Sequence, residues 1–242
     1  MKECVWTFGG SYGVVDGPSG AVRVRATPFA CRFPVEAKAS TFLATLSESD
    51  DPLYEPLPGQ SASVASVLSD CLRSPGDLPT VPAGTYVDVN DVLGDDDFLR
   101  FFEARRALAD HFEELCGDSF CEGEYSSIEP LQLRCSVDPQ KGTLGGCAWA
   151  FAAASSPHIM PESGAVRAQR QTFVCPLPVK GTVEALLSAL DGAADPLFAP
   201  LPGGTASVYD ALIDCLLSRI RAPRRQAAPA VDLLNYSLRV GP

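Results

Sequence analysis

Nine cysteines are the residues of this chain best suited to chemistry, because a thiolate can attack an electrophile, bind a soft metal or pair into a disulfide. Their spacing sorts them. Cys31 precedes Cys71 by 40 residues and Cys175 precedes Cys215 by the same interval; in each pair the first lies in a strand pattern and the second in a helix pattern. Two readings follow from that placement. A core-facing thiol is a small hydrophobe, whereas a disulfide across such a loop adds ~3 to 4 kcal/mol in the chain-entropy model and implies an oxidising compartment.

Cys116-Gly117-Asp118-Ser119-Phe120-Cys121 permits a local disulfide, with turn chemistry at its centre. Cys135 and Cys147 complete the disulfide candidates. A zinc site built from Cys116, Cys121, Cys135 and Cys147 would lack the CxxC pairs of zinc ribbons, so neither metal nor cofactor is expected. The odd total leaves at least one thiol outside intrachain pairs, and Cys4 is the expected one.

The other ionisable residues form no catalytic set. His111 lies on the polar side of a helix pattern and His158 in a loop flanked by proline, and both read as surface residues. Asp51 and Asp195 precede proline, where aspartate shapes turns, while Asp70 and Asp214 fall on the solvated side of a helix. Glu122, Glu124 and Asp118 lack the spacing of a calcium loop. Asp95, Asp96 and Asp97 suit the positive start of a helix. No nucleophile elbow, phosphate loop or zinc-protease motif occurs.

An internal duplication positions these residues. Asp51-Pro52-Leu53-Tyr54-Glu55-Pro56-Leu57-Pro58-Gly59 returns 144 residues later as Asp195-Pro196-Leu197-Phe198-Ala199-Pro200-Leu201-Pro202-Gly203. Residues 29–72 and 173–216 are identical at 20 of 44 positions without a gap, which means two copies of a domain-sized unit. Ser19 to Arg23 repeats as Ser163 to Arg167. After a one-residue slip, Cys4-x-Trp6-x-Phe8 repeats as Cys147-x-Trp149-x-Phe151. Val87-Asp88-Val89 lies over Val231-Asp232-Leu233.

Residues 98–135 alone have no second copy. Either they open a 144-residue unit whose first copy is cut short at its start, or they bridge two units of ~95 residues. The short connections within the block and onward to the Cys147 strand favour the first, which gives units 1–97 and 98–242.

Alternating apolar residues predict strands at Cys4 to Phe8, Val22 to Ala26, Phe29 to Phe33, Leu131 to Val137, Cys147 to Phe151 and Phe173 to Leu177; the last three suggest a three-stranded meander. Helical spacing appears at Phe42, Leu43 and Leu46, at Val64 to Leu72, over Phe98 to Leu115, at Val183 to Leu190 and at Val208 to Leu216. Phe101, Leu108, Phe112 and Leu115 should face inward, with Arg105, Arg106, Glu113 and Glu114 outward. Ser61 and Thr205 stand as candidate N-caps. The class is α+β, two tandem copies of a small antiparallel sheet covered on one face by helices.

A formal charge of −11 opposes a nucleic-acid partner, and Arg219, Arg221, Arg224 and Arg225 read as a solvated linker. No apolar run is long enough to span a membrane, and the chain opens on a strand pattern instead of a signal peptide.

The Cys116 to Cys147 stretch and the Cys-x-Trp-x-Phe strand resemble uncharacterised cysteine-containing repeat proteins of myxobacteria and related GC-rich bacteria. That resemblance implies no activity and points to an envelope or secreted location. The expectation is a non-catalytic binding or structural module of the periplasm or extracellular space, with a protein or small-molecule ligand. The alternatives are a hydrolase or transferase with its site between the units, and a cytoplasmic adaptor with reduced core cysteines.

Overall fold

In the computed structural model, the described residues are 3–72, 82–116, 120–121, 125–156, 158–162, 166–167, 169–191 and 193–217. Strands β1 (Glu3–Val15) and β2 (Val22–Pro34) form an antiparallel hairpin, followed by helices α1 (Ala39–Ser47) and α2 (Val64–Cys71). A two-residue strand β3 (Val87–Asp88) and a 3₁₀ turn lead into the long helix α3 (Asp95–Cys116). Strands β4 (Ser127–Asp138) and β5 (Thr143–Ala154) follow, then the small pair β6 (His158–Ile159) and β7 (Val166–Arg167). Strand β8 (Arg170–Leu177) leads to helices α4 (Val183–Asp191) and α5 (Val208–Leu212), the latter continuing as a π-helical turn to Leu217. The chain is α+β with antiparallel sheets.

The duplication holds down to strand register. Cys4 stands opposite Phe33, Trp6 opposite Cys31 and Phe8 opposite Phe29. In the second copy Cys147 stands opposite Leu177, Trp149 opposite Cys175 and Phe151 opposite Phe173. The one-residue slip between copies is absorbed between the paired strands, in a six-residue turn at 16–21 in the first copy and in the excursion through β6 and β7 in the second.

The C-terminal sheet has four strands in the order β3-β4-β5-β8, not three. Val87 pairs with Val137 and Asp88 with Ser136, so the end of the first repeat adds a strand to the sheet of the second. Asp88 was legible only as a repeat position. Its carboxylate accepts from Asn90 and holds Arg134 at 2.7 Å, which ties β3 to β4.

The two helices that follow the proline turns start at Ser63 and Ser207, two residues beyond the expected caps. The reason is the capping box, in which the residue three positions on must return a bond to the cap N–H. Ser66 does so for Ser63, and Asp210 for Ser207 at 2.8 Å. Three residues after Ser61 and Thr205 stand Val64 and Val208, which have no acceptor side chain.

Each copy encloses its own core. The larger one gathers Phe112, Trp149, Phe151, Phe173, Leu187 and Leu212 among others, and the smaller one gathers Cys31, Phe33, Val35, Leu57 and Val64. The opposite face of β5 carries small residues, with Ala148 and Ala150 buried, and the β1–β2 hairpin packs there. Gly9 makes that approach feasible, because a Cβ on it would run into the methyl of Ala152. Thr172 Oγ1 donates to the carbonyl of Ala26 at 3.3 Å, and Ser136 Oγ donates to that of Gly20.

Four cysteine pairs lie at disulfide distance. Cα separations are 5.6 Å for Cys31 and Cys71, 5.5 Å for Cys175 and Cys215, 5.1 Å for Cys116 and Cys121, and 4.1 Å for Cys135 and Cys147. The first two fasten a covering helix to a strand in equivalent places of the two copies. The last joins β4 to β5 directly across the ladder. In the chain-entropy model, replacing Cys175 and Cys215 together by alanine should lower unfolding free energy by about 4 kcal/mol, against about 2 kcal/mol for Cys116 and Cys121. Denaturant titration of the two double variants checks this, and equal losses would contradict it.

Candidate functional site

The two copies differ in what covers their apolar faces. In the second, α3 lies over the face that β5, β8 and α4 leave exposed. Phe112 packs against Phe151 at 4.9 Å and Trp149 at 6.0 Å between ring centroids. Leu187 on α4 and Leu197 in the proline turn are consequently 0% and 1% exposed, and Trp149 is 2% exposed.

Polar contacts hold α3 in that position. The Arg100 guanidinium reaches Glu184 at 2.9 Å and Asp191 at 2.8 Å, spanning the α4 face on which Leu187 lies. Its own helix contributes Asp97. Arg100 above all, and Ser188 next, hold the Glu184 carboxyl below its ordinary pKa. The stabilisation from this cluster is therefore present above the unfolded carboxylate value and is lost as pH falls through the folded one. Further along, His111 Nδ1 faces Asp195 at 3.6 Å.

Among the described residues, no helix performs this service for the first copy. The residues equivalent to Trp149, Leu187 and Leu197 are Trp6, Leu43 and Leu53, which are 47%, 63% and 43% exposed. Together with Phe33, Phe42 and Leu46 they line an apolar groove of about 540 Å³. The hairpin supplies its floor, α1 one wall, and the Pro52 turn the end. Cys31 and Cys71 fasten α2 beneath it, and Cys4, in the position of Cys147, lies at its edge, where burial followed by the Glu3 carboxylate pushes the thiol up.

A second cavity, of about 360 Å³, lies between the hairpin and the C-terminal sheet. Its polar lining is Thr7, Ser127, Glu129 and Arg170, and the Ser127 hydroxyl donates to Glu129 at 3.0 Å on an exposed strand edge. Neither histidine nor thiol lines it to activate a hydroxyl.

The residues singled out by sequence scatter over the molecule. His158 is exposed on β6, remote in the fold from His111 on α3. Asp195 accepts from the amide of Leu197 at 3.0 Å and so shapes its turn, as its position before proline suggested. Asp70 and Asp214 are exposed on their helices. Arg105, expected outward, lies half-buried over the ring of Phe101 at 5.7 Å. Cys116, Cys121, Cys135 and Cys147 form two separate pairs instead of a four-sulfur centre. No cluster of three potential metal ligands occurs among the described residues. Asp118, Glu122, Glu124, the arginines at 219, 221, 224 and 225, and the repeat residues 163–165 and 231–233 lie outside the described residues.

Sequence reasoning missed the groove. The signal was available in the unmatched block, because its helix has no described counterpart beside the first copy, where the apolar equivalents are exposed. An aspartate at Leu187 would bury a carboxylate among apolar groups and should cost about 4 kcal/mol or more, whereas Leu43→Asp should stay within about 0.5 kcal/mol. Thermal or denaturant unfolding of the two variants checks this contrast, and similar losses would contradict it.

The chain matches no protein-family model, and no curated protein or solved structure is similar to it.

Proposed function

We propose that the chain is a non-catalytic binding or structural module of the cell envelope or extracellular space, and that it binds through the N-terminal groove. The observation that carries this reading is the groove itself. Trp6, Leu43 and Leu53 present a continuous apolar surface on a disulfide-fastened hairpin-and-helix unit, where their counterparts are buried. Contiguous exposed apolar surface marks an interaction site, since it is otherwise a liability in water. A concave, mostly apolar site also suits a small ligand, so a protein or a small molecule fits the chemistry.

Four cysteine pairs at disulfide distance support an oxidising compartment. No described helix is long and apolar enough to cross a membrane, which fits a module carried outside the bilayer without speaking to strands. The negative net charge supports partners other than nucleic acid.

An environment-sensitive apolar dye tests this reading. Folded protein should bind one equivalent with enhanced emission, and Leu43→Asp should remove the enhancement while leaving the circular dichroism unchanged. Absence of enhancement in the wild type, or equal enhancement in the variant, would overturn the groove as the binding surface.

A further inference from the structure

Resting on the groove as the binding surface, we infer that its occupant is a single amphipathic α-helix with the apolar pattern of α3, presented by another polypeptide. The second copy supplies the template. The surface that α3 covers there recurs in the first copy position by position, with Trp6 for Trp149, Leu43 for Leu187 and Leu53 for Leu197. The receptor is also preformed. Trp6 and Phe8 hold their rings 4.7 Å apart at 40°, and Trp149 and Phe151, which receive Phe112, hold theirs 4.8 Å apart at 44°. A helix can therefore dock without rearranging the aromatic floor, which limits the ordering cost of binding.

The pattern required of the helix follows from α3. Phe101, Leu108 and Phe112 are its large buried apolar residues, beside the small Ala104 and Cys116, so an aromatic or leucine is needed at positions separated by seven and then four residues. The last aromatic should seat on Trp6 and Phe8. The residue just before it, at the position of His111, faces Asp51, the equivalent of Asp195, and should be a histidine or a cation. Glu48 and Asp50 are exposed close to Asp51 in sequence, between the groove-lining Ser47 and Pro52, and favour the same sign. At the other end the requirement relaxes, because Ser40 and Ser47 stand where Glu184 and Asp191 hold Arg100.

A second copy of this chain is a poor donor of that helix. Its own α3 is already seated in its own core, with Phe101, Leu108 and Phe112 each at most 1% exposed and Cys116 held beside Cys121. The helix must come from a polypeptide in which such a face is available.

The probe is a synthetic peptide with the sequence of residues 95–115, which contains no tryptophan and no cysteine, titrated into the full chain. Saturable binding should shift the tryptophan emission to the blue, and the shift should vanish in Trp6→Phe. Leu43→Asp or Leu53→Asp, both at exposed positions, should abolish binding. Phe112→Ala in the peptide should weaken it about tenfold or more, and His111→Glu should weaken it further. Absence of saturable binding overturns the helix, as does binding that survives Leu43→Asp. Concentration-dependent self-association that Leu43→Asp removes and the peptide does not compete with also overturns it, and makes a second copy the occupant. In each of these cases a positive dye result leaves the groove standing as a binding surface, whereas a negative dye result removes both readings.

Discussion

The structure depends on shielding one strand-pair face, the Cys-x-Trp-x-Phe strand with the Phe-x-Cys partner opposite, from water. In the C-terminal copy this takes three helices. α4 and α5 follow the strands in sequence, with Cys215, in the turn that continues α5, at disulfide distance from Cys175 on β8, and α3 closes what they leave open. The length of α3, the reach of Arg100 to both ends of the α4 face, and the placing of His111 against Asp195 all serve that closure. Burying a side chain the size of tryptophan or leucine contributes roughly 1.5 to 3 kcal/mol each, so an open face leaves several such contributions unrealised.

The reverse face of the same sheet is satisfied differently. Alanines on β5 and glycines on β1 let the N-terminal hairpin approach closely, and β3 joins the edge beside β4. The first copy therefore serves as a layer of the second. Among the described residues, the core of the second copy is closed by three helices and that of the first is covered by α1 and α2.

Much of this was legible in the sequence. The strand registers follow from the alternation of Cys4, Trp6 and Phe8 against Phe29, Cys31 and Phe33, because a period of two admits only one face to the core. The fold class and the extent of α3 followed from period and from the acidic first turn. The N-caps shifted because Ser61 and Thr205 are good cap types whose third neighbours cannot return the bond. β3 was missed because two residues carry no periodicity, and its pairing is fixed by Arg134 on a distant strand. The groove was hidden for a different reason. Leu43 and Leu187 are the same residue type at equivalent positions, and burial depends on what lies above a side chain, which local pattern does not encode.

The central claim is that the two tryptophans, equivalent by repeat, differ in environment because no described helix covers the first copy as α3 covers the second. Acrylamide quenching of the folded protein measures it directly. Wild-type emission should contain a readily quenched component and a protected one, and Trp6→Phe should remove the quenched component and leave the protected one. Retention of the quenched component in Trp6→Phe, or protection of both tryptophans in the wild type, would contradict the account.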